Sequence, residues 1–404
     1  MNSNEALEKR REYLMPCLNH FYQDPPLFVR GEMQYLYDQG GKQYLDFFAG
    51  VSVMNCGHSN PFILDRVIAQ MRQLQHLSNI YLTGPILALA ERLAGIMPGD
   101  LHNSFFCMSG SEANEGALLL ARLATGKRKF IARRLGLHGR TNLTMAATGL
   151  SLWRADPFLP GDFYFADTAE EIEAILQQDE DIAALIVEPI QGNGGIRPAP
   201  EGFFQEVLAL LHRHGALLIA DEVQSGFART GKMFAIEHYG AAPDLMTMSK
   251  ALGNGIPIAA FAASAETAAR FTRPSASTLG GNPVSATAAL AVLDYIEAER
   301  LCERAAELGD CLRAGLETLQ QGTDLIAEVR GKGLMLGAEL ALDGEPQPGL
   351  TDRVLESLKD RGIILGKNGL HRNVLAFQPP LVINAGDISF LLENLKEALR
   401  ENRP

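Results

Sequence analysis

The chain has 404 residues, of which 47% are hydrophobic and 21% charged, a length at which a single hydrophobic core has usually stopped growing. We therefore expect two domains in a globular, soluble protein. An excess of 48 Asp and Glu over 36 Lys and Arg gives a net charge of −12, which excludes a general affinity for nucleic acid or anionic membranes, because both need a basic surface.

The cysteines, at positions 17, 56, 107, 302 and 311, form no C-x-x-C pair and have no histidines at metal-ligand spacing. This pattern indicates free thiols and predicts neither a disulfide framework nor a metal site. The amino-terminal stretch MNSNEALEKRREYLMPCL is charged and lacks an apolar targeting segment, and no apolar run approaches the length of a membrane span. We therefore expect a cytoplasmic protein.

The first structural signal along the chain is EMQYLYDQGGKQYLDF, in which apolar residues alternate on both sides of Gly40 and Gly41. This alternation predicts a β-hairpin with a glycine turn. From about residue 85, helical segments alternate with short apolar runs, which are NSFFCMS, RKFIARR, ALIVEPI, ALLIADEV and DLMTMSK. Strands buried on both faces and separated by helices indicate an α/β fold with a mostly parallel central sheet.

After residue 295 the chain changes to amphipathic helices with a few strands, among them GKGLMLGAEL and VLAFQPPLVI. This pattern predicts a smaller α+β domain at the carboxyl end. We assign residues 1–48 to an amino-terminal segment that contains the hairpin and packs with the small domain, residues 49–295 to the large α/β domain, and residues 296–404 to the small domain.

Three predicted strands end in polar residues, and ligands of open parallel sheets bind beyond the carboxyl ends of the strands. In CMSGSEANEG, Ser109, Gly110 and Ser111 open a helix whose main-chain N–H groups form a cradle for an anion. In LLIADEVQSG, Asp221 follows an apolar strand, where a buried carboxylate needs a cationic or N–H partner. In LMTMSKALG, Lys250 ends another apolar strand.

Each of these features also has an ordinary structural explanation: a serine helix cap, a structural ion pair and a solvated lysine. Together they match the needs of one cofactor, pyridoxal 5′-phosphate, which requires an amine, an acid against its pyridine nitrogen and a phosphate nest. Desolvation and a nearby cationic charge would lower the pKa of Lys250 and make the amine nucleophilic. The three strand ends therefore predict a pyridoxal-phosphate site in which Lys250 forms the Schiff base.

Longer motifs follow one another along nearly the whole chain; they are MSGSEANEGALLLAR, VEPIQGNGG, IADEVQSGFARTGKMFAIEHYGAAPD, SKALGNGIPIAAF and STLGGNPVSATAALAVLD. In these motifs the chain resembles the class III aminotransferases, pyridoxal-phosphate enzymes of fold type I. The resemblance implies transfer of an amino group from an amine or amino acid, ω-amino acids included, to a 2-oxo acid such as pyruvate or glyoxylate. It also implies a homodimer whose two subunits share their active sites.

The resemblance further implies roles for single residues. Lys250 and Asp221 would be catalytic, with Asp221 also holding the pyridinium nitrogen. Val223 would pack on the cofactor ring, Gln224 would hydrogen-bond its phenolic oxygen, and Thr278 would reach the phosphate across the dimer interface. The other cofactor-binding residues would be Ser109, Gly110, Ser111, Leu137, His138 and Glu188.

Three positions depart from the family pattern. Leu137 stands where the family commonly has an aromatic residue stacked on the cofactor, a contact worth about 0.5–1.5 kcal/mol. Asn193 and Ala376 stand where many members that act on ω-amino acids have a glutamate and an arginine. Losing both is coherent, because either one alone would be a buried unpaired charge. We therefore expect another group to recognise the substrate carboxylate.

The candidates for substrate contact are few. Arg140, in HGRTN, matches an arginine that binds a carboxylate in some members, a task that suits the guanidinium fork. Arg372 lies close to Ala376 in the sequence and is a second candidate. Tyr22, Tyr81 and Trp153 are candidates for the mouth of the site.

Two other functions stay open. One is a pyridoxal-phosphate lyase of the same family, because the absent carboxylate-binding arginine fits substrates without an α-carboxylate. The other is a regulatory protein that binds the cofactor without catalysis. The presence of Lys250, Asp221 and Gln224 together argues against the second.

Overall fold

The computed structural model describes residues 2–403, in which helices and strands follow one another along the whole length. The helices are α1 (Ser3–Tyr13), α2 (Ala49–Ser52), α3 (Pro61–Gln73), α4 (Gly84–Ala94), α5 (Gly110–Thr125), α6 (Asn142–Ala147), α7 (Ala169–Gln178), α8 (Phe203–Arg213), α9 (Ala265–Ala268), α10 (Pro283–Ala298), α11 (Leu301–Gln321), α12 (Pro348–Asp360) and α13 (Ala385–Glu401). Short 3-10 helices lie at Ser151–Trp153, Ala235–Tyr239 and Lys250–Leu252.

The strands are β1 (Phe28–Glu32), β2 (Tyr35–Asp38), β3 (Gln43–Asp46), β4 (Asn103–Cys107), β5 (Lys129–Ala132), β6 (Phe163–Phe165), β7 (Ile182–Val187), β8 (Ile190–Gln191), β9 (Arg197–Pro198), β10 (Leu217–Asp221), β11 (Leu245–Met248), β12 (Ala259–Ala263), β13 (Ile326–Lys332), β14 (Met335–Leu342), β15 (Glu345–Pro346), β16 (Ile363–Ile364), β17 (Gly366–Asn368) and β18 (Val374–Phe377).

Seven strands form the central sheet, in the order β4-β12-β11-β10-β7-β5-β6. Neighbouring strands are parallel except for β12, which runs antiparallel to both β11 and β4. The strands are apolar because both faces of the sheet are covered, and all six residues of β7, IAALIV, are buried. The predicted α/β fold with a mostly parallel sheet is confirmed. The carboxyl ends of β4, β5, β7, β10 and β11 consequently meet at one edge.

Helix α5 packs on this sheet, and its first turn forms one side of that edge. Ser109 caps the helix, since its Oγ accepts a hydrogen bond from the Glu112 main-chain N–H at 3.3 Å. On the buried face, Gly116 lies against Phe261 of β12, and a Cβ at residue 116 would stand 2.3 Å from the ring. The helix therefore lies closer to the sheet than any side chain at this position allows.

Smaller sheets hold much of the remaining chain. Strands β1, β2 and β3 form an antiparallel meander, with the turn between β2 and β3 at Gly40 and Gly41, and β16 joins β3 in parallel. Strands β13, β14, β18 and β17 form an antiparallel sheet, with β15 paired to β14. The strand β16 thus lies in one sheet with the amino-terminal hairpin. The domain boundaries after residues 48 and 295 stay predictions.

The fully buried guanidinium of Arg229 joins three parts of the chain. Its Nη1 donates to the carbonyl oxygens of Leu334 at 3.0 Å and Pro379 at 2.6 Å, and its Nη2 donates to Asn55 Oδ1. Burial lowers the pKa of Arg229 to about 9, with the charge of Asp46 acting in the opposite direction. Arg229, which follows a strand of the large sheet, therefore links a segment from the first sixty residues to the carboxyl-terminal part of the chain.

Within residues 2–403, no helix is both long and apolar enough to cross a bilayer, and no three His, Cys, Asp or Glu side chains are placed to hold a metal ion. The cysteines are all unpaired. Burial raises the pKa of Cys107 to about 12 and raises that of Cys56 as well. These two thiols therefore stay protonated and poorly nucleophilic.

The contact between α5 and β12 generates a stability prediction. Gly116→Ala should lower the free energy of unfolding by about 1–3 kcal/mol, because the new methyl group must push against the Phe261 ring. Gly84→Ala, in the first turn of α4 with no atom within 4 Å of the added Cβ, is the control and should be neutral or slightly stabilising. Denaturant unfolding measures both, and equal effects of the two substitutions would contradict the tight packing at Gly116.

Candidate active site

A cavity of about 200 Å³ opens at the carboxyl edge of the central sheet. Residues from the ends of β4, β5, β7, β10 and β11 surround it; they are Ser109, Gly110, Ser111, Asn114, Leu137, His138, Gly139, Glu188, Asn193, Asp221, Val223, Gln224, Ser249 and Lys250. All of the cofactor-binding residues that the sequence predicts, with the exception of Thr278, lie in this lining. Their roles there stay predictions.

The first turn of α5 and the loop after β5 form a cradle on one side of the cavity. Ser111 Oγ accepts a hydrogen bond from the Arg140 main-chain N–H at 3.1 Å. Glycines allow the close contacts on this side of the cavity. A Cβ on Gly139 would lie 2.6 Å from Ser111 Oγ, and one on Gly110 would lie 2.8 Å from Val223 Cγ1. The cradle combines a helix amino terminus with a serine hydroxyl, a combination that suits an anion.

The carboxylate of Asp221 is buried and held by three donors. Asn114 Nδ2 and His138 Nδ1 each lie 2.8 Å from Oδ2, and the Val223 main-chain N–H donates to Oδ1 at 3.0 Å. Thr247 Oγ1 donates to Asn114 Oδ1 at 2.6 Å, which turns the Asn114 amide so that its nitrogen faces Asp221. Both carboxylate oxygens of Asp221 are therefore hydrogen-bonded, and Oδ1 has lone-pair capacity left.

His138 is fixed on two sides. Its carbonyl oxygen accepts from Asn114 Nδ2 at 2.7 Å, and its Nδ1 carries the hydrogen that points to the Asp221 carboxylate. Among residues 2–403 the buried Nε2 finds no hydrogen-bond partner. The ring is consequently oriented by its neighbours and leaves one nitrogen available within a closed environment.

Lys250 begins a 3-10 helix directly after β11 and has a left-handed φ of 47°. Residues other than glycine adopt this conformation at a cost, and such positions occur often at functional sites. Burial lowers the pKa of the Lys250 amine, while the negative charges of Asp221 and Glu188 raise it, and the burial effect is the larger. The structure thus places a buried amine with a lowered pKa at the cavity wall.

Glu188 links two loops of the lining. Its Oε1 accepts from the Leu137 main-chain N–H and its Oε2 from the Gly192 main-chain N–H, both at 2.9 Å. Burial raises the pKa of Glu188 to about 7, with His138 lowering it and Asp221 raising it further. The carboxyl group therefore holds the walls of the cavity in place, and its charge varies near neutral pH.

Gln224 lies against Gly192, where a Cβ would collide with Oε1 of the glutamine side chain. Its Nε2 donates to Gln378 Oε1 at 3.4 Å, and the Gln378 main chain is fixed by a hydrogen bond to the Phe47 carbonyl oxygen at 2.8 Å. Gln378 is fully buried, and its Nε2 has no partner within the described part of the chain. This second amide orients the one that the sequence predicts to contact the cofactor.

The sequence analysis missed Asn114, Thr247 and Gln378. Asn114 could have been recognised from the sequence, because it is a polar residue on the face of α5 that is otherwise buried and apolar. Thr247 lies within a fully buried apolar strand and Gln378 follows another. A polar residue in or next to an apolar strand is a similar but weaker indication of a functional role.

The predicted substrate-contacting residues lie outside this lining. Tyr22 is buried, and its hydroxyl donates to the Leu365 carbonyl oxygen at 2.9 Å and accepts from the Leu365 N–H at 3.0 Å. Arg140 and Tyr81 are exposed side chains, and Thr278 is exposed in the loop before α10. Within a single chain these four side chains are not part of the cavity lining, and their proposed contacts stay predictions.

Ala376 lies in a fully buried apolar cluster with Ile190, Ile196 and Met335. An arginine at this position would place its charge among those apolar side chains. Asn193, the other departure from the family pattern, lines the cavity. Its carbonyl oxygen accepts from the Gly369 main-chain N–H at 3.0 Å, which ties it to the loop before β18.

Known proteins match this chain over most of its length. A family model described as aminotransferase class-III matches residues 21–399. Over 416 residues the chain is 41% identical to the alanine–glyoxylate aminotransferase 2 homolog 2, mitochondrial, of Arabidopsis thaliana, a match that covers 97% of this chain and 86% of the relative.

Solved structures agree with that match. A Bacillus anthracis aminotransferase has a TM-score of 0.93 and 32% identity, with 98% of each chain covered. A phospholyase from Arthrobacter, in complex with phosphoethanolamine, has a TM-score of 0.91 and 31% identity, with 98% of this chain and 99% of that chain covered. The higher identity to an aminotransferase favours amino-group transfer over the lyase alternative.

Glu222, next to Asp221, generates a prediction about pH. The side chain is fully buried, its Oε2 accepts from Ser225 Oγ at 2.6 Å and its Oε1 from the Ile236 N–H at 2.7 Å. Burial raises the pKa of Glu222 from 4.5 to about 7. Since the folded protein then holds a proton that the unfolded chain releases, this residue's contribution to stability is complete below pH 4.5 and declines as the pH rises to about 7.

Glu222→Gln should remove this decline, a difference between variant and wild type of up to about 3 kcal/mol over that pH range. Denaturant unfolding at several pH values measures the difference. Glu206→Gln, on the exposed side of α8, is the control for loss of one carboxylate. An unchanged pH dependence in Glu222→Gln would show that Glu222 is ionised in the folded protein throughout.

Proposed function

We propose, from the premise that the chain belongs to the class III aminotransferases, that Lys250, Asp221 and the loop 109–111 form its pyridoxal-phosphate site. The protein is a pyridoxal-phosphate-dependent aminotransferase that moves an amino group from an amine or amino acid to a 2-oxo acid. The observation that carries the proposal is the convergence of the amine, the carboxylate and the anion cradle on one cavity.

The residues of the cavity fit this cofactor. Asp221 Oδ1 accepts one N–H, from Val223, and so retains a lone pair for a protonated ring nitrogen. The glycines at 110 and 139 keep the cradle open for a phosphate group. Lys250 supplies the amine, and burial has lowered its pKa. These are the three groups that pyridoxal phosphate requires.

Lys250 has two tasks in this proposal. Bound pyridoxal phosphate supplies an electron-accepting ring on which the amino group is carried between substrates. Lys250 Nζ would hold the cofactor covalently, and once free it would take up the proton that leaves the carbon bearing the substrate's amino group. The lowered pKa suits this role because the amine must be neutral before it can accept a proton.

The other lining residues orient the cofactor. Asp221 would keep the ring nitrogen protonated, and Val223 and Leu137 would pack on the ring. Gln224, with its amide turned by Gln378, would hydrogen-bond the phenolic oxygen. His138 supports the Asp221 carboxylate and Glu188 holds the loops on both sides of the ring.

For the acceptor we propose pyruvate or glyoxylate, and for the donor an amine or an amino acid, ω-amino acids included. The Arabidopsis relative is named for alanine and glyoxylate, which supports small substrates of this class.

We propose further that the enzyme is a homodimer with shared active sites. Exposed apolar side chains support this assembly, since Ile80, Tyr81 and Leu82 are 71%, 59% and 87% exposed. Leu279, next to Thr278, is also exposed. A partner subunit packed on these side chains would bring Thr278 to the phosphate of the neighbouring site.

The cytoplasm is the compartment we propose. The unpaired cysteines support a reducing environment, in which thiols remain free. Detection of the protein with organelle or membrane fractions after cell fractionation would contradict this location.

A donor supplied without a 2-oxo acid tests the proposed reaction. The wild-type enzyme loaded with pyridoxal phosphate should convert about one equivalent of donor per site and stop, because the amino group then stays on the cofactor. Addition of pyruvate or glyoxylate should restart turnover. Product analysis by liquid chromatography measures both stages, and continuous release of ammonia or phosphate without an acceptor would instead establish a lyase.

Lys250→Ala is the matched variant for this experiment. It should give no covalent adduct after borohydride reduction, as measured by mass spectrometry, whereas the wild type should give one adduct per chain. Lys232→Ala, a lysine outside the cavity lining, should behave as the wild type does. An adduct in Lys250→Ala would assign the covalent link to another amine.

The dimer proposal predicts a cofactor-binding defect in Thr278→Ala. Loss of one hydrogen bond to a charged phosphate should raise the dissociation constant for pyridoxal phosphate by about tenfold, while light scattering should still give a dimer mass. Ser275→Ala, an exposed hydroxyl of the same loop, is the control and should leave the constant unchanged. A monomer with full cofactor affinity would refute the shared site.

A further inference from the structure

One asparagine side chain ties the turn that carries Lys250 to a distant part of the chain. Asn254 is buried and follows the short 3-10 helix that begins at Lys250. Its Oδ1 accepts from the Cys56 N–H at 2.9 Å, and its Nδ2 donates to the Gly57 carbonyl oxygen at 3.0 Å. We propose that Asn254 is a positioning residue for Lys250, and that this bridge sets where the Lys250 amine lies in the cavity.

The turn between Lys250 and Asn254 has a conformation that needs support. Both residues have a left-handed φ, of 47° and 44°. Residues other than glycine adopt this conformation at a cost, and it persists where the surrounding structure enforces it. The Gly253 N–H donates to the Lys250 carbonyl oxygen at 3.1 Å, and the Asn254 N–H donates to the Ala251 carbonyl oxygen at 3.2 Å. These bonds close the turn but do not link it to another part of the chain.

The amine of Lys250 depends on this turn for its position. Asp221 and Glu188 act on the amine through their charges, but no hydrogen bond or salt bridge to a group within residues 2–403 holds it. The position of Nζ therefore follows from the main chain of the turn. A shift of that main chain would move the amine relative to Asp221 and the anion cradle.

The support segment, residues 54–58, is the part of the chain to which Asn254 binds. It is fixed at Asn55, whose Oδ1 accepts from the buried guanidinium of Arg229. The Leu381 N–H donates to the Asn55 carbonyl oxygen at 2.8 Å. Through Asn254 the turn is therefore tied to the buried cation that links the amino-terminal and carboxyl-terminal parts of the chain.

A purely structural role for Asn254 is the alternative, and the support segment offers a matched control. Asn60 is also buried, and its Nδ2 donates to the Cys56 carbonyl oxygen at 2.7 Å. Asn60 caps α3 and is not part of the Lys250 turn. Asn60→Ala and Asn254→Ala should both lower the midpoint of denaturant unfolding, because each removes buried hydrogen bonds. Only Asn254→Ala should change the behaviour of Lys250.

Covalent attachment of pyridoxal phosphate reports on the Lys250 amine, and this readout rests on the proposed function. Attachment forms a C=N bond between Nζ and the aldehyde carbon, and the aldehyde oxygen leaves as water with the two hydrogens of the neutral amine. At saturating cofactor, Asn254→Ala should slow attachment by about tenfold to a hundredfold, the effect expected when a reacting group is displaced by about 1 Å. Borohydride trapping at successive times, followed by peptide mass spectrometry, measures the rate.

Pyridoxine 5′-phosphate, which has an alcohol in place of the aldehyde, separates positioning from cofactor binding. It cannot attach to Lys250, so its dissociation constant, measured by calorimetry, should be the same in the wild type, Asn254→Ala and Asn60→Ala. Asn254→Gly removes the bridge but tolerates the left-handed φ, and it should slow attachment as Asn254→Ala does. Attachment at the wild-type rate in Asn254→Gly or Asn254→Ala would overturn the inference, and so would equally slow attachment in Asn60→Ala.

Hydrogen exchange tests the turn itself before any cofactor is added. In the full-length chain, the amides of residues 251–255 should exchange faster in Asn254→Ala than in the wild type, because the turn has lost its tie to the support segment. Asn60→Ala should leave their exchange unchanged. Unchanged exchange in Asn254→Ala would contradict the inference. Faster exchange there, together with no adduct on Lys250 in the wild type, would refute the proposed function while supporting the role of Asn254 in fixing the turn.

Discussion

The buried carboxylate of Asp221 is the group on which the arrangement of the site depends. An anion in this position is tolerated only because three donors reach it, and the donors come from separate elements. Asn114 lies on α5, the helix whose first turn forms the anion cradle, and His138 lies in the loop after β5. Thr247, which orients Asn114, lies on β11, the strand that leads to Lys250. One carboxylate therefore fixes the cradle, the histidine loop and the lysine strand relative to one another.

Around the cavity, desolvation and the charges of neighbouring groups shift the pKa values of the titratable side chains in opposite directions. Desolvation lowers the pKa of Lys250, and the charges of Asp221 and Glu188 raise it. Desolvation raises the pKa of Glu188, and the charge of His138 and two main-chain hydrogen bonds lower it. For both residues the desolvation effect is the larger. Glu222, behind Asp221, follows the same rule. Glu188 and Glu222 therefore add less negative charge to the site near neutral pH than exposed carboxylates would. Asp221 is the acidic side chain that three donors reach.

Local patterns in the sequence predict the fold and the strand ends that surround the candidate cavity, because buried strands, helix starts and strand ends are encoded within short segments. Lys250, Asp221 and Ser111 follow strands that are recognisable from their apolar residues alone. Contacts between segments that are distant in the sequence are harder to predict from it. The link from Gln224 to Gln378 spans 154 positions, and that from Thr247 to Asn114 spans 133. Tyr22 illustrates the same limit, since its hydroxyl is bound by the main chain of Leu365.

The pairing of β3 with β16 has a consequence for biosynthesis. Leu45 and Asp46 emerge from the ribosome roughly 300 residues before Ile363 and Ile364, their neighbours in the sheet. At a translation rate of about 5–20 residues per second, β3 at the edge of the amino-terminal hairpin stays unpaired for roughly 15–60 s before its partner strand has been synthesised. An unpaired edge is a template for association with other chains during that interval. Nascent copies translated close together on one message are therefore exposed to mispairing at β3 until the carboxyl-terminal part has been made.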